Sequence, residues 1–508
     1  MAHGPLLSEF IGRHDSRLYL AATLLLPMEQ PDTHRSPAYN TTMIKYTIGI
    51  AFAAITVLSS SFVEKKPAEK PARTNYQTYC ASCHGEKVEA FVDRKWKHGT
   101  EKANLVASIT GGYPDLGMPT WKGVLTDKEI GDMADLITES LKNVDQYKFA
   151  NKPTSNIFVS EGQTVKLDTI ASGMESPWGM AFLPGGEFLI SDRNGSIYRV
   201  DKMHQKTPVT GGPEVVFEGQ GGLLDVALHP DFAKNGLVYF SYSAGKMEGT
   251  EKLSTTAVMR AKLTGTTLSD QKVIFEALPY SKTRHHYGSR LAFDNKGYLF
   301  VSVGERGNEK ENPQDLSRDL GKIHRMYDDG RVPEDNPFVK TPGARPTIYS
   351  YGHRNPQGMY KNPTTGEIWA NEHGPRGGDE LNLIKKGANY GWPVISYGIN
   401  YDGKPITSLS AKEGMEQPVA YWIPSIAPSG MATVDGSKYP AWKNNLMVGS
   451  LRFQYLNRCV MDGNKVVKQE QLLKNIGRVR NIETGPDGYL YVSVESPGFV
   501  YRLQPVAQ

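Results

Sequence analysis

Residues 177–200 read PWGMAFLPGGEFLISDRNGSIYRV, and their punctuation decides the fold. An apolar run stops at Pro-Gly-Gly, a second run follows, and Asp-Arg-Asn-Gly turns the chain into a third. Runs this short, bounded by Gly, Asp and Asn, are strands joined by tight turns rather than helices. Related cores recur at GLLDVALHPDFAKNGLVYFSYS (222–243), SRLAFDNKGYLFVSVGERG (289–307) and PQGMYKNPTTGEIWANEHG (356–374). Two more are SGMATVDGSKYPAWKNNLMVGSL (429–451) and VRNIETGPDGYLYVSVESPGFVYRL (479–503). Six cores, spaced by roughly fifty to seventy residues, predict an all-β, six-bladed β-propeller with one blade per core. No regular amphipathic helices alternate with these strands, which excludes a doubly wound fold. The long Gly-, Pro- and His-rich inserts between cores are then expected on one face, around the central channel.

The chain ahead of the cores has another texture. YCASCHG (79–85) carries two cysteines two residues apart and then histidine, the pattern of covalent c-type haem attachment. Cys80 and Cys83 are the candidate thioether residues and His84 the candidate iron ligand. Met118, in a GMP turn just before an amphipathic helix that starts near Thr126, is the expected second axial ligand, as in small cytochromes c; His98 is the alternative. The chain has three cysteines, so with two consumed by haem only Cys459 remains and no disulfide framework is available. Its Leu-Asn-Arg-Cys-Val-Met setting reads as a buried strand.

At 508 residues more than one domain is expected. MIKYTIGIAFAAITVLSSS (43–61) has the charged start and short apolar run of a secretory signal, which makes residues 1–42 an upstream extension or disordered leader. Residues 62–73 read as a charged, Pro-punctuated linker, 74–148 as a small all-α cytochrome c domain, 149–164 as an inter-domain linker and 165–508 as the propeller. Export to the periplasm or beyond agrees with haem attachment, and membrane association follows only if the signal is uncleaved. The net charge of +4 is small and dispersed, and no basic stripe with interleaved aromatics appears, which excludes a nucleic-acid partner.

The inserts hold the candidate chemistry. KTRHHYGSRLAF (282–293) sets His285 and His286 just ahead of a strand, and imidazole is the side chain best suited to accept a proton near neutrality. SYGHRNPQG (350–358) puts Arg354 between His353 and Asn355. NEHGPRGGDELNLI (371–384) is rich in Gly and carboxylates, the oxygen chemistry that hard cations such as calcium take. Arg478 and Arg480 lie on one side of a strand.

Taken together, the stretch from Lys166 to Leu503 resembles the soluble, calcium- and PQQ-dependent aldose sugar dehydrogenases of the glucose/sorbosone dehydrogenase family. The matching motifs are GQGGLLDVALHPDF (219–232), HYGSRLAF (286–293), LGKIHRMYDDGRVPEDNPF (320–338), YGHRNPQG, GPRGGDELNLI and RVRNIETGPDGYLYV (478–492), in family order. The resemblance implies that His286 is the general base for the anomeric hydroxyl. It implies PQQ contacts at Gln220, Arg354, Asn355, Arg478 and Arg480, with Arg354 also assisting catalysis. Carbonyls of Gly374 and Pro375 would bind the calcium beside PQQ, and Glu380 with the carbonyl of Tyr390 a second calcium. Two positions depart from the glucose-specific members. Arg452 stands where they have lysine, so its PQQ contact depends on a different geometry. His285 stands where they have aspartate, which leaves the sugar open.

The expected protein is therefore an exported quinohaemoprotein. Hydride would pass from an aldose to PQQ, giving a lactone, and single electrons would leave through haem c to an external acceptor such as another cytochrome or a cupredoxin. The assembly expected is a monomer or homodimer. Two readings compete: a calcium-dependent propeller hydrolase resembling lactonases, and a non-catalytic propeller that binds a glycan or partner. A hydrolase site has no use for four arginines around the channel, and a binding module none for His286 with Arg354.

Overall fold

The computed structural model describes residues 71–84, 98–116, 118–142, 153, 155–307, 309–400 and 404–506. The signal and leader expected over 1–61 lie outside these residues, as does the side chain of Cys83. No helix among the described residues is long and apolar enough to cross a membrane.

Six antiparallel sheets make up the chain from Ile157 onward, one for each hairpin core. Blade one is Pro177–Phe182, Phe188–Asp192, Ile197–Val200 and Lys206–Val209; blade two runs from Leu223–Leu228 out to Thr267–Glu276. Blade three starts at Leu291–Phe293, blade four at Pro356–Lys361 and blade five at Pro428–Thr433. Blade six takes Arg478–Thr484, Leu490–Glu495 and Phe499–Val506 from the end of the chain, then Gln163–Ala171 and Ile157–Ser160 from before blade one. Leu167 pairs with Leu503 across that join, so the ring is closed by ordinary ladder hydrogen bonds. The innermost strand of each blade touches the next all the way round.

The apolar residues of each hairpin pack between blades. Six clusters fill the six seams; Leu189 with Phe240 joins blades one and two, and Tyr491 with Met180 joins six and one. A polar device repeats nearer the axis. The second strand of a blade presents a small hydrogen-bonding side chain to a carbonyl of the next blade's inner segment. Ser191 donates to Leu224, Ser241 to Ser289 (2.6 Å), Ser302 to Pro356 (3.1 Å), Asn371 to Ser429 (2.7 Å) and Ser493 to Pro177 (3.1 Å). Blade five has Gly449 at this position. There Ser429 of its own first strand donates to Val479 (2.6 Å), and a side chain on Gly449 would strike the Ser429 hydroxyl. Each latch satisfies a carbonyl that burial would otherwise leave without water. Cys459 is fully buried in the strand Tyr455–Asp462, as expected.

Among the described residues, the helical segment holds Ala72–Tyr79, Ala81–His84, Lys102–Gly111 and Asp127–Lys142, with a 3₁₀ turn at Pro114–Leu116. Thr126 caps the last helix. Its hydroxyl accepts from the Glu129 amide (3.2 Å) while Glu129 accepts from the Thr126 amide (3.0 Å), a capping box that starts the helix where the sequence turns amphipathic. Cys80 and Met118 pack against one core with Trp121, Ile130 and Met133. Met118 is held by a two-way backbone bridge to Tyr113, whose ring stacks on His98.

Candidate active site

Inner strands start at the axis, so the residues just ahead of them converge there. The turn before blade three carries His286, which adopts φ +54° and has 8% of its surface exposed. A left-handed backbone at a bulky residue is strained, and here it is held from both sides. The His286 amide donates to the Gln220 side chain at 2.9 Å, and Gly304 lies so close to the His286 carbonyl that any Cβ would collide with it. His286 Nδ1 sits 2.9 Å from Glu305 Oε1, which fixes the ring and leaves Nε2 as its reactive edge.

Arg354 faces this pair. Its amide donates to Glu372 (2.6 Å), its Nη1 to the carbonyls of His373 (3.0 Å) and Gly374 (2.8 Å), and its Nε lies 3.9 Å from Glu305 Oε1. Asn355 accepts from the Gly288 amide at 3.1 Å. The structure thus brings Gln220, His286, Arg354, Asn355 and Gly374 into one hydrogen-bonded group.

Arg478 and Arg480 stand together on blade six and share one carboxylate: Glu495 accepts from Arg478 Nε (3.2 Å) and Arg480 Nε (2.8 Å). Burial raises the Glu495 carboxyl, but Arg480, Arg478 and Arg193 outweigh this and hold it well below the usual carboxylate range. One charge of the arginine pair is therefore balanced within the protein and the other is left over. Arg480 also donates to Gln357 (2.7 Å) and lies over Trp178. Arg452 donates to the Ser425 carbonyl (3.3 Å) and stacks on Phe453.

In the Gly-rich turn, Asp379 organises the backbone. It accepts from the amides of Gly374 (2.8 Å), Ile426 (2.7 Å) and Ala427 (2.8 Å). The Gly374 carbonyl already takes Arg354, with its second lone pair left over; Pro375 follows it. Glu380 is pushed up to about 8 by burial, with Glu372 adding to the effect. Tyr390 stacks on His353, and its hydroxyl donates to the Leu383 carbonyl. Among the described residues no three His, Cys, Asp or Glu side chains converge as a metal set, and the carbonyl ligands expected here fall outside that description.

Electrostatics favour a neutral imidazole. Burial, then Arg354, His285 and His373, pushes His286 well below its usual value; burial, then Arg306 and Arg354, lowers His285 to about 3. Burial raises Glu305 to about 8 despite Arg354 and Arg306. Among the described residues, several buried polar atoms around this group have no hydrogen-bond partner: Glu305 Oε2, Arg306 Nε and Nη1, Arg354 Nε, Asn355 Nδ2 and His285 Nδ1. Each such atom costs about 1–3 kcal/mol, so their clustering at the hub marks a place built for a polar ligand rather than for stability. A flat molecule bearing carboxylates and quinone oxygens, as PQQ is, matches the guanidinium and amide donors of this set.

Glu305, Arg306, His373 and Glu495 were not singled out from sequence. Arg306 is fully buried, with its guanidinium 3.6 Å from the Tyr287 ring centroid. The available signal was Gly-Glu-Arg-Gly directly after the apolar VSV strand, an abrupt charge pair where the chain returns to the axis.

Residues 174–502 match the family described as glucose/sorbosone dehydrogenase, and residues 67–137 match that described as cytochrome c oxidase, cbb3-type, subunit III. The chain is 42% identical to the aldose sugar dehydrogenase YliI of Escherichia coli (strain K12), covering 67% of this chain and 93% of that protein. The crystal structure of the soluble E. coli aldose sugar dehydrogenase in its apo-form superposes with TM-score 0.65 at 40% identity, covering 67% of this chain and all of that one. The PQQ-bound aldose sugar dehydrogenase of Streptomyces coelicolor superposes with TM-score 0.55 at 32% identity, covering 67% and 98%. The chain is an oxidoreductase that belongs to the glucose/sorbosone dehydrogenase family and carries a cytochrome c domain ahead of its propeller.

Proposed function

We propose that this protein oxidises the anomeric hydroxyl of aldoses to lactones and delivers the electrons one at a time through haem c. PQQ, when bound, supplies the two-electron acceptor for hydride, and calcium on the carbonyls of Gly374 and Pro375 would hold and polarise it. Arg354 Nε and Asn355 Nδ2 would meet quinone oxygens, and Arg478, Arg480 and Arg452 would meet carboxylates. Glu380 and the Tyr390 carbonyl would hold a second, structural calcium.

The observation that carries the reading is the His286–Glu305 pair beside those unpartnered donors. With its one proton on His286 Nδ1 and the carboxylate accepting it, the pair leaves a lone pair on Nε2. That atom takes the hydroxyl proton as hydride leaves the anomeric carbon. Glu305 then stabilises the imidazolium, and Arg354 stabilises negative charge developing on the acceptor side. The balance is one aldose and two ferric haems giving one lactone, two ferrous haems and two protons.

Cys80 and Cys83 would hold the haem through thioethers, with His84 and Met118 on its iron. An exported, periplasmic location and an external one-electron acceptor, a cytochrome or cupredoxin, complete the proposal, with the chain acting as monomer or homodimer. The test is to load the haem-bearing protein with PQQ and calcium and supply aldoses with a redox dye. Dye bleaching with lactone formation is expected; neither, across a panel of aldoses, refutes the proposal.

A further inference from the structure

Among the described residues, contacts at two places join the helical segment to the propeller, and both places involve residues that flank the expected haem attachments. On one side, the Arg376 guanidinium lies 5.2 Å from the centroid of the Tyr79 ring, and Tyr79 immediately precedes Cys80. On the other, the Asp115 carbonyl accepts from the Arg284 amide at 2.5 Å and meets the His285 imidazole; Asp115 lies in the turn that leads to Met118. His285 in turn is edge-on to His286, 4.8 Å between ring centroids. Arg376 follows Gly374 and Pro375, and its backbone is tied in both directions to Ile399, which leaves the guanidinium as the group it offers outward.

We propose that the rim formed by Arg284, His285 and Arg376 is the docking surface through which the chain's own cytochrome segment takes electrons from the propeller. The inference rests on the dehydrogenase reading and deepens it by naming the surface. The thioether side of the haem motif is seated on Arg376 and the axial-methionine side on Arg284 and His285. Whatever group lies between Cys80 and Met118 is thereby brought to the mouth that opens on His286. Two electrons leave each sugar as hydride, and each passage across this surface reduces one ferric haem to ferrous. The haem must then be reoxidised by an external one-electron acceptor before the second passage.

The surface is tested in haem-bearing protein loaded with PQQ and calcium, by two readouts. The first is the stopped-flow rate of haem reduction by an aldose, set against turnover with a dye that accepts electrons from the propeller directly. The second is hydrogen exchange at the Arg284 amide, which docking protects. Loss of a cation–π contact predicts that Arg376→Ala slows haem reduction roughly three- to thirtyfold and speeds Arg284 exchange by a similar factor. Dye turnover should hold, and Arg376→Lys should restore both. Unchanged haem reduction and unchanged exchange in Arg376→Ala would overturn the proposal, and so would an equal fall in dye turnover. If unaltered protein passes electrons to neither dye nor haem, the dehydrogenase reading fails, while Arg284 exchange still decides whether this surface docks.

Discussion

Glu305→Gln separates a base that merely sits in the channel from one that is held and charged for its task. The amide oxygen of glutamine can still accept from His286 Nδ1, so ring orientation is kept and only the negative charge is lost. With the imidazolium charge about 4 Å from the carboxylate and an effective dielectric near 20, that charge contributes about 4 kcal/mol to stabilising the protonated ring. Arg354, 3.9 Å from the same oxygen, already draws on it, so the expected loss in kcat is about 10²- to 10³-fold rather than the full amount. The pH profile carries the sharper signature. The competent pair holds one proton, on Nδ1. A second proton can charge the imidazole, place hydrogens on both Nε2 and the carboxyl, or neutralise the carboxylate at Oε2; the first two leave no lone pair on Nε2, and the third removes the charge that stabilises the imidazolium. Activity should therefore rise with pH as the pair loses its second proton, with Glu305 raised to about 8 by burial. In Glu305→Gln only His286 titrates, and burial with Arg354 keeps it well below its usual value, so the rise should vanish between about pH 6 and 9. The assay is dye-coupled kcat and kcat/KM across that range on PQQ-loaded protein. A variant within threefold of the parent, or one that retains the same acid limb, would refute the reasoning.

Other expected outcomes are as direct. Met118→Ala should lower the haem potential and alter the haem spectrum while leaving dye-coupled activity nearly intact; an unchanged spectrum would hand the axial position to another residue. Ser493→Ala strands the Pro177 carbonyl at the seam where the ring closes, and should cost about 1–3 kcal/mol in urea unfolding of the propeller; a shift no larger than an exposed Ser→Ala control gives would contradict the latch. Chelating calcium should release PQQ and abolish sugar oxidation with the haem spectrum unmoved, and retention of PQQ after dialysis against chelator would remove calcium from the site.

The blades were legible because a hairpin is local: apolar runs and turn residues within twenty positions specify it without knowledge of neighbours. His286, Arg354 and Asn355 could be singled out as candidates through motif resemblance, since each stands just ahead of a blade core, and the structure brings them together at the hub. What sequence did not reveal is what those residues touch. Glu305 reaches His286 from the far end of a hairpin, and Glu495 neutralises part of an arginine pair fifteen and more residues away. The serine latches were hidden for another reason: a lone Ser or Asn inside an apolar strand looks like tolerated polarity until the next blade's carbonyl appears opposite. Gly449 shows the rule by its exception, with Ser429 supplying the missing hydroxyl from a neighbouring strand. Asp115 against Arg284 joins two segments far apart in sequence through a backbone carbonyl, which no side-chain motif records.

Transfer of electrons from a sugar at His286 to the haem of the same chain is the step on which the proposed function turns. It is tested most directly by mixing oxidised, PQQ- and calcium-loaded protein with excess aldose, without dye or external acceptor, and following the haem absorbance. Full haem reduction is expected in the parent protein, and none on the same timescale in His286→Ala with PQQ and haem still bound. A haem that stays ferric in the parent, or is reduced equally fast without His286, would contradict it.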